Sequence, residues 1–491
     1  MSSLRERTFE GVSWSVVGKI GKQALNFGVE IFLIRLLSPR EFGLVAMVVI
    51  FTGFARVLRD VGLGAAIVQY QDLTEKHRSS VFWVNFGAGL LLTGLFAGSS
   101  SLIAGFYAEP ILIPLTIVLA SQFFIGALSA VHRKLFQKTI DFRSLSLAEI
   151  GSTLLAGGTA ITMALGGYGV WSLVAKYLIN TVAATVVLWT LSSWRPHFLF
   201  SWEALRDLWR FSLNLLGQKS LNFWLRRLDD LLIGRYLGSD PLGLYTRAYK
   251  IMLVPLKSVS RVIGRVMFPA LSSIQDDIPR IRRTYLRMTG AIALITFPLT
   301  LGLLATVEPF VIGILGEQWS DMIPILSVFC ITSLWQSIST LNGNLYLSQG
   351  RTDIQFRVSM VMNPFIMTGI VVGLQWGTVG VAVGYTVTSL INGYVNFRYA
   401  GGIVGITYAK LLYHLSGIFA CAASMSGAVY GLGHALPPEW PHWLRLLTQV
   451  PSGIIFYWAL IHMFGVRAYQ ETCNLLIEQF SRRLRSIIGD S

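Results

Sequence analysis

The sequence has few charged residues and no long polar stretch. Only 13% of its 491 residues are Asp, Glu, Lys or Arg, against about 25% in an average soluble domain. The longest polar stretches are too short to hold a hydrophobic core of their own, so no soluble domain is expected. Hydrophobic residues make up 53% of the chain, and the mean hydropathy is +0.58. These values predict an all-α polytopic membrane protein.

Cysteine and recognisable catalytic motifs are also scarce. The three cysteines, Cys330, Cys421 and Cys473, lie far apart and form no C-x-x-C pair, so neither a disulfide framework nor a metal site is indicated. No stretch has the spacing of a zinc site, a nucleotide-binding loop or a catalytic triad. We therefore predict no enzyme activity, no cofactor and no metal. No signal peptide is expected either, because the first apolar run lacks a small-residue cleavage site and more spans follow it.

The apolar residues are gathered in fourteen segments, each long enough to cross a bilayer. The tenth is interrupted at 316–321, where we expect a loop, followed by a span from about Met322 to Leu347. The segments are 12–37, 42–69, 80–106, 111–131, 146–166, 170–191, 211–237, 243–269, 286–305, 309–347, 358–374, 378–397, 411–433 and 444–466.

Two parts of the chain resemble each other at an offset of 200 residues. Arg35-Leu36-Leu37, followed by Gly43-Leu44, aligns with Arg235-Tyr236-Leu237, followed by Gly243-Leu244. Each copy ends one span and begins the next, so spans 1–6 and 7–12 are predicted to form two equivalent six-helix lobes, an organisation typical of transporters. The predicted domains are an N-terminal lobe (1–195), a C-terminal lobe that starts with an interfacial linker helix (196–400), and two extra spans with a tail (401–491).

Basic residues are distributed unevenly among the loops. Alternate loops and both tails are rich in Lys and Arg, whereas the other loops carry almost only acids, with Arg40 as the exception. An excess of cations marks the cytoplasmic side of a membrane protein, so both termini are predicted to be cytoplasmic. The net charge of +15 follows the same rule, and no nucleic acid partner is expected.

Two of the basic loops are predicted to be short amphipathic helices in the membrane interface. These loops, 132–145 and 196–210, mix basic residues with Phe, Trp and Leu at helical spacing. Ser201 is the expected N-cap of the second helix, and Trp202 and Trp209 are its expected anchors. Because this second loop joins spans 6 and 7, it is a natural bridge between the lobes.

The segment 243–269 is long and apolar enough to cross a bilayer, yet it carries five cations. At 3.6 residues per turn these cations fall on one stripe. A cation near the bilayer centre costs about 2.5–3.5 kcal/mol, so the stripe is expected to face water or an anion. Alternatively, the end residues snorkel to the surfaces and the middle ones pair with carboxylates. The cations are Arg247, Lys250, Lys257, Arg261 and Arg265.

Spans 1 and 7 also present polar faces, whereas spans 3–6 and 9–14 are interpreted as almost free of charge apart from Lys176. In a two-lobe transporter such faces would line a shared cavity. Its net positive charge would attract an anion, and Arg suits phosphate in particular. The predicted substrate-binding residues are Lys19, Lys22, Lys219, Arg226, Lys250, Lys257 and Arg261.

Two other roles stay open for the charged residues of these spans. Lys22 with Glu30, and Arg226 with Asp229 or Asp230, could instead be structural ion pairs, and the Arg226 pairs have the three- and four-residue spacing of neighbours on a helix. The three carboxylates are also candidates for ion coupling.

Four stretches resemble a known family. They are WSVVGKIGKQ from Trp14, RLLSPREFGLVAM from Arg35, LGLYTRAYKIMLVP from Leu242 and RVMFPALS from Arg265. They are similar to polysaccharide exporters of the multidrug/oligosaccharidyl-lipid/polysaccharide flippase superfamily, and more closely to its O-antigen and exopolysaccharide flippase branch, typified by the colanic and teichuronic acid exporters. The resemblance covers about residues 1–400.

This resemblance implies two six-helix lobes, a polyprenyl-diphosphate-linked oligosaccharide as cargo, and a bacterial cytoplasmic (inner) membrane location. The expected activity is a flippase that moves the cargo from the cytoplasmic to the outer leaflet by alternating access, with glycosyltransferases and a polymerase as candidate partners. One alternative is a cation-coupled multidrug exporter of the same superfamily, whose site should be acidic or aromatic rather than basic. Another is a scaffold protein, which would gain nothing from buried charge.

Overall fold

The protein is described by a computed structural model. It covers residues 4–59, 67–68, 73–202, 223–224, 227–466 and 469–471, and within these all side chains except those of 4–12, 56–59, 257–259, 261–262 and 265–266. The chain divides into two compact units, Met1–Gly243 and Leu244–Ser491. The described residues form helices and their connections, without a β-strand.

The first unit is built from long helices joined by short turns. Apolar residues of the helix Leu112–Lys138, such as Leu115, Phe123 and Val131, are almost completely buried. The helices are α1 (Leu4–Leu36), α2 (Pro39–Arg59), α3 (Glu75–Gly98), α4 (Ser100–Tyr107), α5 (Leu112–Lys138), α6 (Phe142–Leu165), α7 (Val170–Leu191) and α8 (Leu228–Tyr236), and α9 (Ser239–Ser272) begins at the end of this unit.

The second unit contains the rest of α9 and the helices that follow it. Met322 begins a helix directly after the 3₁₀ turn Glu317–Trp319, which confirms the predicted loop and helix start. The core includes Tyr285, Tyr346 and Phe397. The helices are α10 (Ile278–Ala305), α11 (Val307–Phe310), α12 (Met322–Ser339), α13 (Asn342–Ser348), α14 (Thr352–Gly373), α15 (Gly377–Val404), α16 (Tyr408–Ala435) and α17 (His442–Met463), with a π-helical turn at Val311–Leu315.

The helices have the length and composition of membrane spans. Among the described residues, nine helical stretches are long and apolar enough to cross a bilayer, and one of them, Thr352–Val404, contains two successive helices. The helices α1 and α9 are not among the nine, because lysines and arginines interrupt their apolar character. The class of all-α, multi-pass membrane protein is therefore confirmed, and the count of fourteen spans stays a prediction.

The two copies of the sequence repeat have matching helix boundaries. The first ends α1 at Leu36 and begins α2 at Pro39, and the second ends α8 at Tyr236 and begins α9 at Ser239. Within the first unit the two starts touch reciprocally. A Cβ atom at Gly43 would meet the carbonyl of Ser239, and one at Gly243 would meet the carbonyl of Pro39. Both glycines are therefore required by backbone contact, while the equivalence of whole lobes stays a prediction.

The interfacial helix predicted for 132–145 is wrong. Residues up to Lys138 continue α5, and α6 begins at Phe142. The break between them is fixed by Asp141, whose Oδ1 accepts the backbone N–H of Ser144 at 3.0 Å as an N-cap. This loop is therefore only a tight turn between two long helices.

In the loop 196–210, the residues up to the expected N-cap Ser201 form no helix, and Trp202 is helical. Residues 196–201 are not helical, and 203–210 lie outside the described residues. Hydroxyls at the start of α3 replace helical hydrogen bonding: Ser79 Oγ accepts the N–H of His197 at 3.2 Å, and Ser80 Oγ accepts that of Ser201 at 2.8 Å. These two hydrogen bonds attach the linker to α3, and sequence periodicity could not indicate them.

Candidate functional site

The polar face of α1 is held against α6 in a parallel arrangement. Ser146 Oγ donates to the carbonyl of Trp14 at 3.0 Å, and the guanidinium of Arg143 lies 5.7 Å from the Trp14 ring centre. Further along both helices, Gly157 lies directly against Val29. This close approach, which a glycine permits, brings the middle of α1 alongside the first turns of α6.

Lys22 of α1 and Arg133 of α5 share one carboxylate. Lys22 Nζ lies 3.2 Å from Glu149 Oε2, and Arg133 Nη1 lies 2.7 Å from Glu149 Oε1. Each cation therefore contacts a different oxygen. The three side chains keep 37%, 34% and 29% of their surface exposed, so the group is accessible rather than sealed. We call Lys22, Arg133 and Glu149 the shared-carboxylate cluster.

Lys19 lies one turn before Lys22 on the same face of α1 and is exposed. Within the described part of the chain, no carboxylate lies within ion-pair distance of its ammonium group. Among the described residues, Lys19 adds a third cation to Lys22 and Arg133, which both contact the single carboxylate of Glu149. Such an arrangement favours the binding of an anion, either soluble or carried by a membrane lipid.

Glu30, two turns beyond Lys22 on α1, has a different partner from the one expected. Its Oε2 lies 3.6 Å from Lys176 Nζ on α7, so the predicted Lys22–Glu30 pair is wrong. Each lysine has a different acid as its partner: Lys22 contacts Glu149 of α6, and Lys176 of α7 contacts Glu30. The ion-coupling role proposed for Glu30 is not tested by this contact.

The acidic residues of α8 occupy its first turn. Asp230 is buried and accepts from Arg227 Nη1 at 2.8 Å, and Asp229 Oδ1 accepts the backbone N–H of Asp230 at 2.9 Å. Carboxylates at a helix N-terminus are stabilised by the helix dipole. The structure thus pairs Asp230 with Arg227. The predicted residues Arg226 and Lys219 lie outside the described residues.

The cationic helix α9 is continuous from Ser239 to Ser272, through Pro255. On its described part the Arg247 side chain is buried, with 8% exposure, whereas Lys250 is exposed. Leu244, Met252 and Leu256 are buried, as expected for the apolar face. The side chains of Lys257 and Arg261 lie outside the described residues, so their place in the predicted stripe stays a prediction.

Beside α9, the second unit carries an uncharged polar group. The hydroxyls of Tyr249 and Tyr385 lie 3.3 Å apart, and Gln336 Nε2 donates to Tyr385 at 2.8 Å. The Phe329 ring packs edge-on against both tyrosines, with centroids at 5.5 and 6.2 Å. These contacts connect α9, α12 and α15 through aromatic edges and hydroxyls.

Sequence reasoning missed Glu149 and misplaced Arg133. The interpretation that spans 3–6 carry almost no charge apart from Lys176 is wrong, because Glu149 lies inside the fifth segment. A single acid in an apolar span was the available signal, since intramembrane charge is rare and functional by default. Arg133 looked like a loop cation because α5 extends beyond its apolar part. Among the described residues, no group of three His, Cys, Asp or Glu side chains is placed to hold a metal.

The protein is a multi-pass α-helical membrane protein, and its fold is that of known flippases and drug transporters. A structure named as the lipid II flippase MurJ, inward closed conformation, has a TM-score of 0.71 at 15% identity, over 92% of this chain and 98% of that one. An inward-facing multidrug resistance MATE family transporter of the MOP superfamily has a TM-score of 0.60 at 16% identity, over 81% and 98%. At these identities the likeness establishes the fold alone.

The chain belongs to the family described as "Polysaccharide biosynthesis protein", which it matches over residues 32–324. It is 27% identical to the teichuronic acid biosynthesis protein TuaB of Bacillus subtilis (strain 168), over 98% of this chain and 99% of that protein. It is also 27% identical to the lipopolysaccharide biosynthesis protein WzxC of Escherichia coli (strain K12), over 88% and 89%. The resemblance seen in the sequence motifs is thereby confirmed.

Proposed function

We propose that this protein is a flippase for polyprenyl-diphosphate-linked oligosaccharides. It would move repeat units of an exopolysaccharide or O-antigen from the cytoplasmic to the outer leaflet by alternating access. The names of the relatives point to polysaccharide and lipopolysaccharide biosynthesis. The observation that carries the proposal is the accessible excess of cations around Lys19 and the shared-carboxylate cluster, on three helices of 33, 27 and 24 residues.

The chemistry of the diphosphate explains why lysine and arginine suit this task. Charge-assisted hydrogen bonds from ammonium and guanidinium groups to phosphate oxygens are about twice as strong as neutral ones. The sugar needs only hydroxyl and water partners, and the polyprenyl tail stays in the bilayer. We extend the proposed diphosphate-binding set to Lys219, Arg226, Lys250, Lys257 and Arg261.

The location and orientation are also proposals. A bacterial inner-membrane protein with both termini in the cytoplasm would receive its cargo where glycosyltransferases assemble it. A polymerase would take over the flipped unit on the other side. Supporting this orientation, Lys and Arg are concentrated in alternate loops and both tails.

The substrate class is tested in proteoliposomes that contain purified protein and a polyprenyl-diphosphate-linked oligosaccharide. We expect glycan on the inner leaflet to become accessible to an impermeant oxidant or lectin, and protein-free liposomes to stay protected. Equal protection with and without the protein contradicts the proposal.

The alternative of a cation-coupled drug exporter is tested with the variant Lys250→Gln/Lys257→Gln/Arg261→Gln. A flippase that binds diphosphate with these side chains should lose export while inserting into the membrane normally. An organic-cation exporter should keep or gain transport, because removing positive charge removes repulsion of its substrate.

A further inference from the structure

The carboxylate of Glu149 lies where an anionic ligand of Lys22 and Arg133 would be expected. Its two oxygens contact Lys22 Nζ at 3.2 Å and Arg133 Nη1 at 2.7 Å, one cation each. The cations come from two other helices, α1 and α5, and Glu149 from α6. An oxyanion that bridges two separately supported cations is bound as a phosphate group is bound by Lys and Arg.

The surroundings of Glu149 distinguish this contact from an ordinary structural pair. The carboxylate, the ammonium and the guanidinium are all partly exposed, and exposed Lys19 adds a further cation one turn away. By contrast, Lys176 on the same unit lies 3.6 Å from one oxygen of Glu30, a longer contact than either of the two made by Glu149. The hydroxyls of Ser152 and Thr153 donate to the backbone carbonyl of Glu149, at 3.1 and 2.7 Å, rather than to its carboxylate.

We propose that Glu149 is a resident counter-anion that competes with the diphosphate of the cargo for Lys22 and Arg133. In the absence of cargo, the carboxylate offsets one of the two positive charges of the cluster and holds both cations in position. When cargo arrives, phosphate oxygens take the two cations and Glu149 swings aside. The displaced carboxylate then repels the bound phosphate, weakens binding and speeds release. This inference rests on the proposed function, because it names the group that the cargo must displace.

The direct test measures binding of inorganic pyrophosphate to the purified full-length protein and to its Glu149→Gln variant. Glutamine keeps the shape of the side chain but removes its charge. We expect the Kd for pyrophosphate to fall about three- to tenfold, the size of effect produced by one partly solvated charge. A purely structural role predicts an unchanged or higher Kd, because Lys22 and Arg133 would be less well positioned. Either of those results overturns the proposal, as does a wild type that binds no pyrophosphate.

Two further variants control the measurement. Glu149→Asp keeps the charge but is too short to bridge both cations, so its Kd should fall between those of the wild type and Glu149→Gln. It also keeps the test decisive if the glutamine variant does not fold. Asp353→Asn removes an exposed carboxylate that pairs with Arg351 at 3.4 Å in the second unit. This control should leave the Kd unchanged, and an equal gain there would mean that only net charge matters.

Ordinary phospholipid headgroups also contain phosphate, so a separate experiment must test whether the cluster binds them instead of the cargo. Binding should be compared in nanodiscs of phosphatidylcholine and of phosphatidylglycerol. If the gain of Glu149→Gln disappears in phosphatidylglycerol, the cluster binds an anionic lipid headgroup and the counter-anion role toward cargo is wrong. A gain that persists in both lipids supports it.

Transport separates this inference from the proposed function. With lipid-linked oligosaccharide in proteoliposomes, Glu149→Gln should lower KM and kcat together, because binding tightens and release slows. Wild-type flipping with unaltered Glu149→Gln kinetics overturns only the counter-anion role. Tighter pyrophosphate binding without any flipping by the wild type overturns only the flippase.

Discussion

Helix α1 of the first unit and helix α12 of the second unit contact their neighbours through different kinds of polar group. In the first unit, α1 is attached to its neighbours by charged contacts that stay partly exposed, as in the shared-carboxylate cluster. In the second unit, the contacts of α12 with α10 and α15 use buried, uncharged hydroxyls: Thr332 and Thr386 lie 2.6 Å apart, and Thr296 donates to Ser337 at 3.1 Å.

The difference follows from the cost of removing each kind of group from water. A hydroxyl that finds a partner is buried at little net cost, whereas an ion pair must recover a much larger desolvation penalty. The buried hydroxyl pairs of α12 are therefore expected to stabilise the fold, and the shared-carboxylate cluster, where two accessible cations contact one acid, to serve a ligand. Substitutions at the charged contacts should therefore change transport, and substitutions at the hydroxyl contacts should change stability.

The largest effect is expected when the cations of the first unit are neutralised. In Lys22→Gln/Arg133→Gln, transport of lipid-linked oligosaccharide should fall about thirtyfold or more, equivalent to about 2 kcal/mol, because two contacts to phosphate are lost. The matched control Arg351→Gln removes an exposed cation paired with Asp353 and should transport normally. Normal flipping by the double variant would show that these cations only hold Glu149.

A larger side chain between α1 and α6 should lower the stability of the protein. Gly157 lies against Val29, whereas a Cβ atom at the adjacent Gly158 would meet nothing within 4 Å. Gly157→Leu should therefore destabilise the first unit by about 1–3 kcal/mol, the usual cost of overpacking, and thermal unfolding in detergent measures it. Gly158→Leu is the matched control and should unfold like the wild type. Equal losses in both variants would mean that α1 does not depend on this contact.

The second unit should respond to loss of a hydroxyl with a smaller and purely structural effect. Thr332→Val removes the contact to Thr386, which still donates to the carbonyl of Ala382 at 2.7 Å. We expect a loss of about 1 kcal/mol in unfolding free energy and an unchanged KM for lipid-linked oligosaccharide. A raised KM with normal stability would place this hydroxyl pair in the substrate path and remove the contrast between the units.

The smallest effect concerns the membrane potential. Moving one negative charge outward across an inside-negative membrane is favourable by about 2.3 kcal/mol per 100 mV. When the diphosphate is bound, its charge nearly cancels that of the cations, so the moving complex gains only part of this energy. An imposed potential in proteoliposomes should therefore change turnover by a few-fold at most. Turnover that is indifferent to both potential and ion gradients would mean that resetting of the empty, cationic protein is not rate-limiting.

The sequence was most informative where a signal is local. Residues 170–191 were predicted as a span and form α7, and Met322 was predicted to begin a helix and does so. Hydropathy and a run of turn residues are enough for both. The family was also recognisable from short motifs around α1, α2 and α9.

The site was less predictable because its contacts join distant parts of the chain. Lys22 and Glu149 are 127 positions apart, and nothing in the spacing of α1 points to α6 rather than to Glu30. The linker at 196–201 is likewise held by hydrogen bonds to hydroxyls of α3, which lie more than a hundred positions earlier in the chain. Helical periodicity can place a charge on a face but does not identify its partner.

The reciprocal contact of Gly43 and Gly243 limits how the two copies of the repeat can diverge. Each glycine abuts a main-chain carbonyl next to the other copy, at Ser239 and Pro39. A side chain at either position cannot be offset by trimming a neighbour, since a carbonyl cannot be made smaller. Substitutions that diversify the surrounding helices must therefore leave Gly43 and Gly243 unchanged.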